Sequence, residues 1–154
     1  MKRTLNLNFS LLAAFLILTF SNCKKNANGS NADITGKWVK TEFQGVQQYI
    51  FNSDHTVEFD LLATDSVTKA VMGYRYKRVG KYNIKNDTLT MFDLSNYSNS
   101  KNSFGPITDL IPTNGPATIT YSFSLNAQKN KLSFYFYCPP YANCLPSPMV
   151  YNRQ

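Results

Sequence analysis

Between Thr118 and Leu125 the chain alternates hydroxyl-bearing side chains (Thr118, Thr120, Ser122, Ser124) with Ile119, Tyr121, Phe123 and Leu125. A period of two is the repeat of an extended strand with one face in water and the other in a core. Residues 126–131 read as a turn, and 132–137 return with Leu132, Phe134 and Phe136 on one side. Upstream the same pattern recurs. Gly36 to Phe43 reads as a first strand, and 49–51 and 56–61 flank Asn52-Ser53-Asp54-His55, residues that tolerate tight turns. Residues 73–84 lead into a turn at 85–87, 88–92 run back, and 149–151 form a last short strand.

About eight strands joined mostly by hairpins predict an all-β fold: an antiparallel up-and-down β-barrel of about eight strands, or a flattened version of one. No long helix, internal repeat or second domain is visible. Two connections, 63–72 and 95–116, are too long for tight turns, and long connections in compact domains are usually functional. The second carries Phe104, Ile107, Leu110 and Ile111. Those side chains suggest a lid or short helix over a barrel mouth, or a satellite cluster covering a sheet edge.

The first residues follow a different pattern. Lys2 and Arg3 precede an apolar run from Leu11 to Phe20, broken by Thr19, in the proportions of a secretory signal. A bilayer span needs about 20 apolar residues, and Asn6, Asn8 and Ser10 interrupt any extension of the run. Cleavage by an ordinary leader peptidase near Ala27 and Gly29 is one route, though these lie far from Phe20. The other is lipoprotein processing, because Cys23 directly after the apolar run resembles a bacterial lipobox, with Phe20 and Asn22 where Leu and a small residue are common. The division expected is a signal peptide over 1–22, a lipidated N-terminus and polar tether over 23–33, and the barrel domain over 34–154. Ten tether residues span roughly 15–20 Å.

Cysteine parity bears on the choice. The chain holds Cys23, Cys138 and Cys144, and an exported protein tends to pair its thiols. Lipidation of Cys23 leaves Cys138 and Cys144 to bridge a short loop containing Pro139, Pro140 and Tyr141, where a disulfide fixes loop shape. Two cysteines and one distant histidine fall short of the four ligands of structural zinc. No metal and no cofactor are expected.

Net charge is +7, with 43% hydrophobic, 16% charged and 14% aromatic residues, the balance of a folded globule. Without residues 1–22, 14 basic and 9 acidic side chains leave +5. Arg75, Lys77, Arg78 and Lys81, interleaved with Tyr74 and Tyr76, invite a nucleic-acid reading. An export signal argues against it, and a strand with alternate residues in water accounts for the pattern. The only histidine, His55, sits in a turn beside Asp54 with no marked nucleophile, and the acids are scattered singly. No enzyme is expected.

Gly36-Lys37-Trp38 resembles the Gly-x-Trp signature of lipocalins, and the hairpins Tyr49-Ile50-Phe51-Asn52-Ser53-Asp54 and Gly80-Lys81-Tyr82-Asn83-Ile84-Lys85-Asn86-Asp87-Thr88-Leu89 resemble those of small lipocalin-like (calycin-type) lipoproteins of Gram-negative envelopes. The resemblance covers about 34–154. It implies that Trp38 closes one barrel end with Arg153 stacked on its indole, and that the protein is lipid-anchored in the cell envelope at the outer membrane. It also implies a small apolar or amphipathic ligand, bound by inward-facing Tyr74, Tyr76, Tyr121 and Phe123 beneath a lid carrying Phe104 and Leu110. The alternative is a protein-interaction or inhibitor module at the envelope, acting through its loops.

Overall fold

The computed structural model describes residues 32–43, 45–136 and 148–154. Residues 1–31, and with them the signal and Cys23, lie outside these segments, as does the Cys138–Cys144 pair. The strands are β1 (Gly36–Glu42), β2 (Gly45–Phe51), β3 (Thr56–Thr64), β4 (Val71–Lys85), β5 (Thr88–Asn99), β6 (Leu110–Pro112), β7 (Ile119–Leu125), β8 (Lys131–Tyr135) and β9 (Met149–Arg153). One 3-10 turn, Ile107–Asp109, is the only helical element among the described residues. Eight strands close into an antiparallel barrel in the order β1-β2-β3-β4-β5-β7-β8-β9, with Trp38 opposite Arg153 completing the circle. Closure leaves none of the eight as a free edge. The short β6 is added to the last residues of β5.

The sequence pattern ends one strand early. It places a long loop from residue 95, whereas β5 continues to Asn99. Asp93 takes a positive φ of 53°, and the register shifts between Val79 and Lys81, so an extra β5 residue bulges opposite Gly80. A bulge breaks the alternation without ending the strand. Gly80 makes room for it: a Cβ there would sit 2.6 Å from Leu94 Cδ2 and 2.7 Å from the Phe92 carbonyl oxygen. Gly80→Ala is therefore expected to cost about 1–3 kcal/mol, read as a lower urea midpoint at unchanged m-value.

Antiparallel order sends the connections to alternate ends. The tight hairpins at 52–55, 86–87 and 126–130 share one end, and the last residues of β1 and β8 with the connections 65–70 and 100–109 share the other, whereas 113–118 joins β6 to β7, which run in the same direction, and passes alongside β5. Toward the hairpin end the interior is filled. Trp38, Phe51, Leu89, Leu132, Phe134 and Tyr151 are buried, with Tyr49 stacked 5.6 Å from Phe51 and edge-on to Phe134 and Tyr151 at 5.3 and 5.2 Å. Trp38 Nε1 donates to the Ile34 carbonyl at 2.7 Å. The Arg153 guanidinium carbon lies 4.8 Å from the indole centroid, and its Nη2 donates to the Thr35 carbonyl at 2.9 Å. Packing, a cation–π contact and two backbone bonds thus plug this end.

Candidate functional site: the barrel mouth

Residues directly opposed in an antiparallel ladder share a face. Arg78 is opposed by Phe59 on β3 and by Asn96 on β5, and Tyr76 by Leu61. This ladder puts Arg78 on the barrel's inner face. Its guanidinium carbon lies 5.3 Å from the Tyr76 ring centroid and 5.9 Å from that of Phe59. Nε donates to Asn96 Oδ1 at 2.8 Å, Nη2 donates to the Tyr76 hydroxyl at 2.7 Å, and that hydroxyl donates to Asn96 Oδ1 at 2.5 Å. Asn96 is buried, and its Nδ2 is 3.4 Å from the Pro116 carbonyl.

Around this cluster the inner-face rings are half-buried: Phe59, Tyr76, Tyr121 and Phe136. Tyr121 stacks on Phe134 at 5.2 Å and meets Phe136 edge-on at 5.0 Å. A second polar chain runs from Tyr151, whose hydroxyl donates to Gln47 Oε1 at 2.6 Å, to Gln47 Nε2, which donates to Glu42 Oε2 at 2.9 Å. Burial pushes the Tyr49, Tyr121 and Tyr151 hydroxyls above the usual phenol range. At neutral pH all three are protonated and can donate hydrogen bonds.

The residues expected to bind a ligand are dispersed. Tyr76 and Tyr121 belong to the mouth. Phe123 is part of the packed core. Tyr74 is on the other face of the sheet from Tyr76, although two residues apart, because Arg75 is an extra residue between the pairs Leu61–Tyr76 and Leu62–Tyr74. Phe104 stands over Gly45 and lines an outer groove of about 670 Å³ with Val39, Val46 and Leu62. Gly105 exchanges backbone hydrogen bonds with Tyr74 at 2.7 and 3.1 Å. The long connection therefore pairs with the start of β4 where that strand extends past the end of β5, and Leu110 lies in β6 opposite Asn99. Asn96, Gln47 and Phe59 were not singled out from sequence, and Arg78 figured there only as one of a water-facing basic cluster, whereas the ladder turns it inward. The spacing Tyr76-x-Arg78 held a signal for Arg78, since it puts both on one face.

The basic cluster divides likewise. Arg75 Nε donates to Asn102 Oδ1 at 2.8 Å, and Lys81 pairs with Asp93 at 3.2 Å. On the outer face Lys77 bridges Glu58 at 2.5 Å and Asp60 at 3.3 Å, and Gln48 Nε2 donates to Asp60 Oδ2 at 3.2 Å. Asp60 is 1% exposed, and burial, with Glu58 beside it, raises its carboxyl to about 6. His55 is a turn residue with φ 63°, next to Asp54, whose Oδ1 accepts from the Thr56 amide and hydroxyl. Among the described residues no three His, Cys, Asp or Glu side chains are grouped to hold a metal ion.

Closure of eight antiparallel strands makes this an all-β up-and-down barrel protein. No protein-family model matches the chain, and neither a curated protein nor a solved structure matches it.

Proposed function

We propose that this is a lipocalin-like lipoprotein, anchored in a Gram-negative envelope at the outer membrane by a lipid on Cys23, that binds a small amphipathic ligand in its barrel mouth. The observation that carries this reading is the gradient of burial along the inner face. Rings near the hairpin end are buried, whereas Phe59, Tyr76, Tyr121 and Phe136 at the opposite end are half-buried. Apolar walls around a few fixed polar groups are the usual make-up of a small-molecule site. The filled interior beneath limits the ligand to the mouth.

An interaction module is the second reading, favoured by Phe43, Val67 and Met72, which are 106%, 85% and 70% exposed on or beside two connections at that same end. Amide chemical-shift mapping with octanol separates the two. The expected result is saturable shifts centred on Phe59, Tyr76 and Tyr121, with Trp38 unmoved. Absence of shifts at the mouth would overturn ligand binding, and native mass spectrometry of protein from its host should then show a protein partner.

A further inference from the structure

Arg78 is a charge with unused capacity. All nine carboxylate side chains lie among the described residues, yet none is within ion-pair distance of it. A guanidinium has five N–H donors, and protein acceptors engage Nε and one N–H of Nη2. No buried side-chain nitrogen or oxygen among the described residues lacks a partner, so the unengaged Nη1 is accessible to solvent. Phe59 and Tyr76 flank the guanidinium, and Asn96 and Tyr76 fix the plane of its fork. The neutral hydroxyls of Tyr49 and Tyr121 lie within its electrostatic reach.

Resting on the mouth as the binding site, we infer that the ligand is an amphipath with an anionic head, a carboxylate or a phosphate monoester, received by the free edge of the Arg78 guanidinium. A planar fork offering parallel N–H bonds matches either oxyanion in two-point contact, and charge-assisted bonds of this kind are about twice as strong as neutral ones. The tail then lies against Phe59, Tyr121 and Phe136. Because Tyr49, Phe134 and Tyr151 occupy the barrel beneath, a short chain fits better than a long one. A neutral head leaves the cation without a counter-charge in a partly desolvated site.

The test is calorimetric titration of the full chain with octanoate, octyl phosphate and octanol. Octanoate or octyl phosphate, whichever head fits better, is expected to bind roughly ten- to hundredfold more tightly than octanol, and the order of the two anions identifies the head. Arg78→Gln should abolish that preference, bringing octanoate and octyl phosphate to within about twofold of octanol on the same variant, a ratio that a purely structural role for Arg78 does not alter. Equal affinity for anions and alcohol, or a preference that survives Arg78→Gln, overturns the anionic head and leaves mouth binding standing. If no octyl compound binds, both readings fall. Should Arg78→Gln not fold, Arg78→Lys, which keeps charge but loses the fork, is expected to weaken the anions several-fold relative to octanol on the same variant. Unweakened anion binding in Arg78→Lys then counts against the inference.

Discussion

Trp38→Ala is expected to remove about 3–5 kcal/mol of unfolding free energy, among the largest losses of any described side chain in this barrel. The indole is fully buried between β2 and β9, and no smaller side chain fills its volume. Truncation also leaves the Ile34 carbonyl without its donor and the Arg153 guanidinium without the ring beneath it. Trp38→Phe, which restores much of the apolar area but not the N–H, should recover roughly half. Arg153→Ala should cost only about 1 kcal/mol, because its cation–π contact is at an exposed position. Far-UV circular dichroism through a urea titration ranks the three. A wild-type midpoint for Trp38→Ala would mean that the indole does not plug the barrel.

Lys77→Met should cost about 3–5 kcal/mol near neutral pH, for an electrostatic reason. Among the described residues the lysine ammonium is the one cation paired with both Glu58 and Asp60, and Asp60 is buried away from solvent. Removing the ammonium leaves the buried Asp60 carboxylate unpaired beside the partly exposed carboxylate of Glu58. The pH dependence distinguishes this from a simple loss of packing. A carboxyl held at about 6 when folded, against about 4 when unfolded, binds a proton on folding between those values. Its favourable contribution is complete below about 4 and is lost as pH rises through 6. Glu58, lowered by its contact with Lys77 despite an opposing burial effect, works in the other direction while the lysine is present, adding stability that is lost as pH falls. Without the lysine that opposing part vanishes. The deficit of Lys77→Met should therefore shrink as pH is lowered from 7 toward 4.5, in parallel urea titrations. A deficit constant with pH would assign the loss to packing of the lysine stem. Asp60→Asn, which removes the buried charge and keeps an acceptor for Lys77, should be close to neutral at pH 7.

The hairpin made by β7 and β8 is readable from residues 118–136 alone, because alternation is a local property and each strand shows its own wet and dry face. The same holds for the turn at Asn52–His55 and for Trp38 at the start of the first strand. Reading fails where a strand departs from strict alternation. Asp93 inserts a residue into β5 and Arg75 inserts one into β4, and neither is marked by a glycine or proline of its own. The second insertion moves Tyr74 to the outside, so a pattern counted from Tyr76 assigns it to the wrong face. Gln47 and Gln48 carry no apolar signal, yet β2 begins at Gly45 because β1 supplies a full ladder of partners.

From the sequence come the all-β class, the antiparallel meander of about eight strands and the aromatic filling, since period-two patterning and turn chemistry are written residue by residue. Tertiary structure alone decided depth along the barrel axis. Phe123 is sealed in the core while Tyr121, two residues earlier on the same face, is half-buried, because depth depends on which neighbouring strand ends overhang each position. It also decided that Arg78 faces inward with Asn96, 18 residues away in the chain, as its partner and without a counter-charge. Such a contact is set by the pairing of β4 with β5, and no local pattern encodes it.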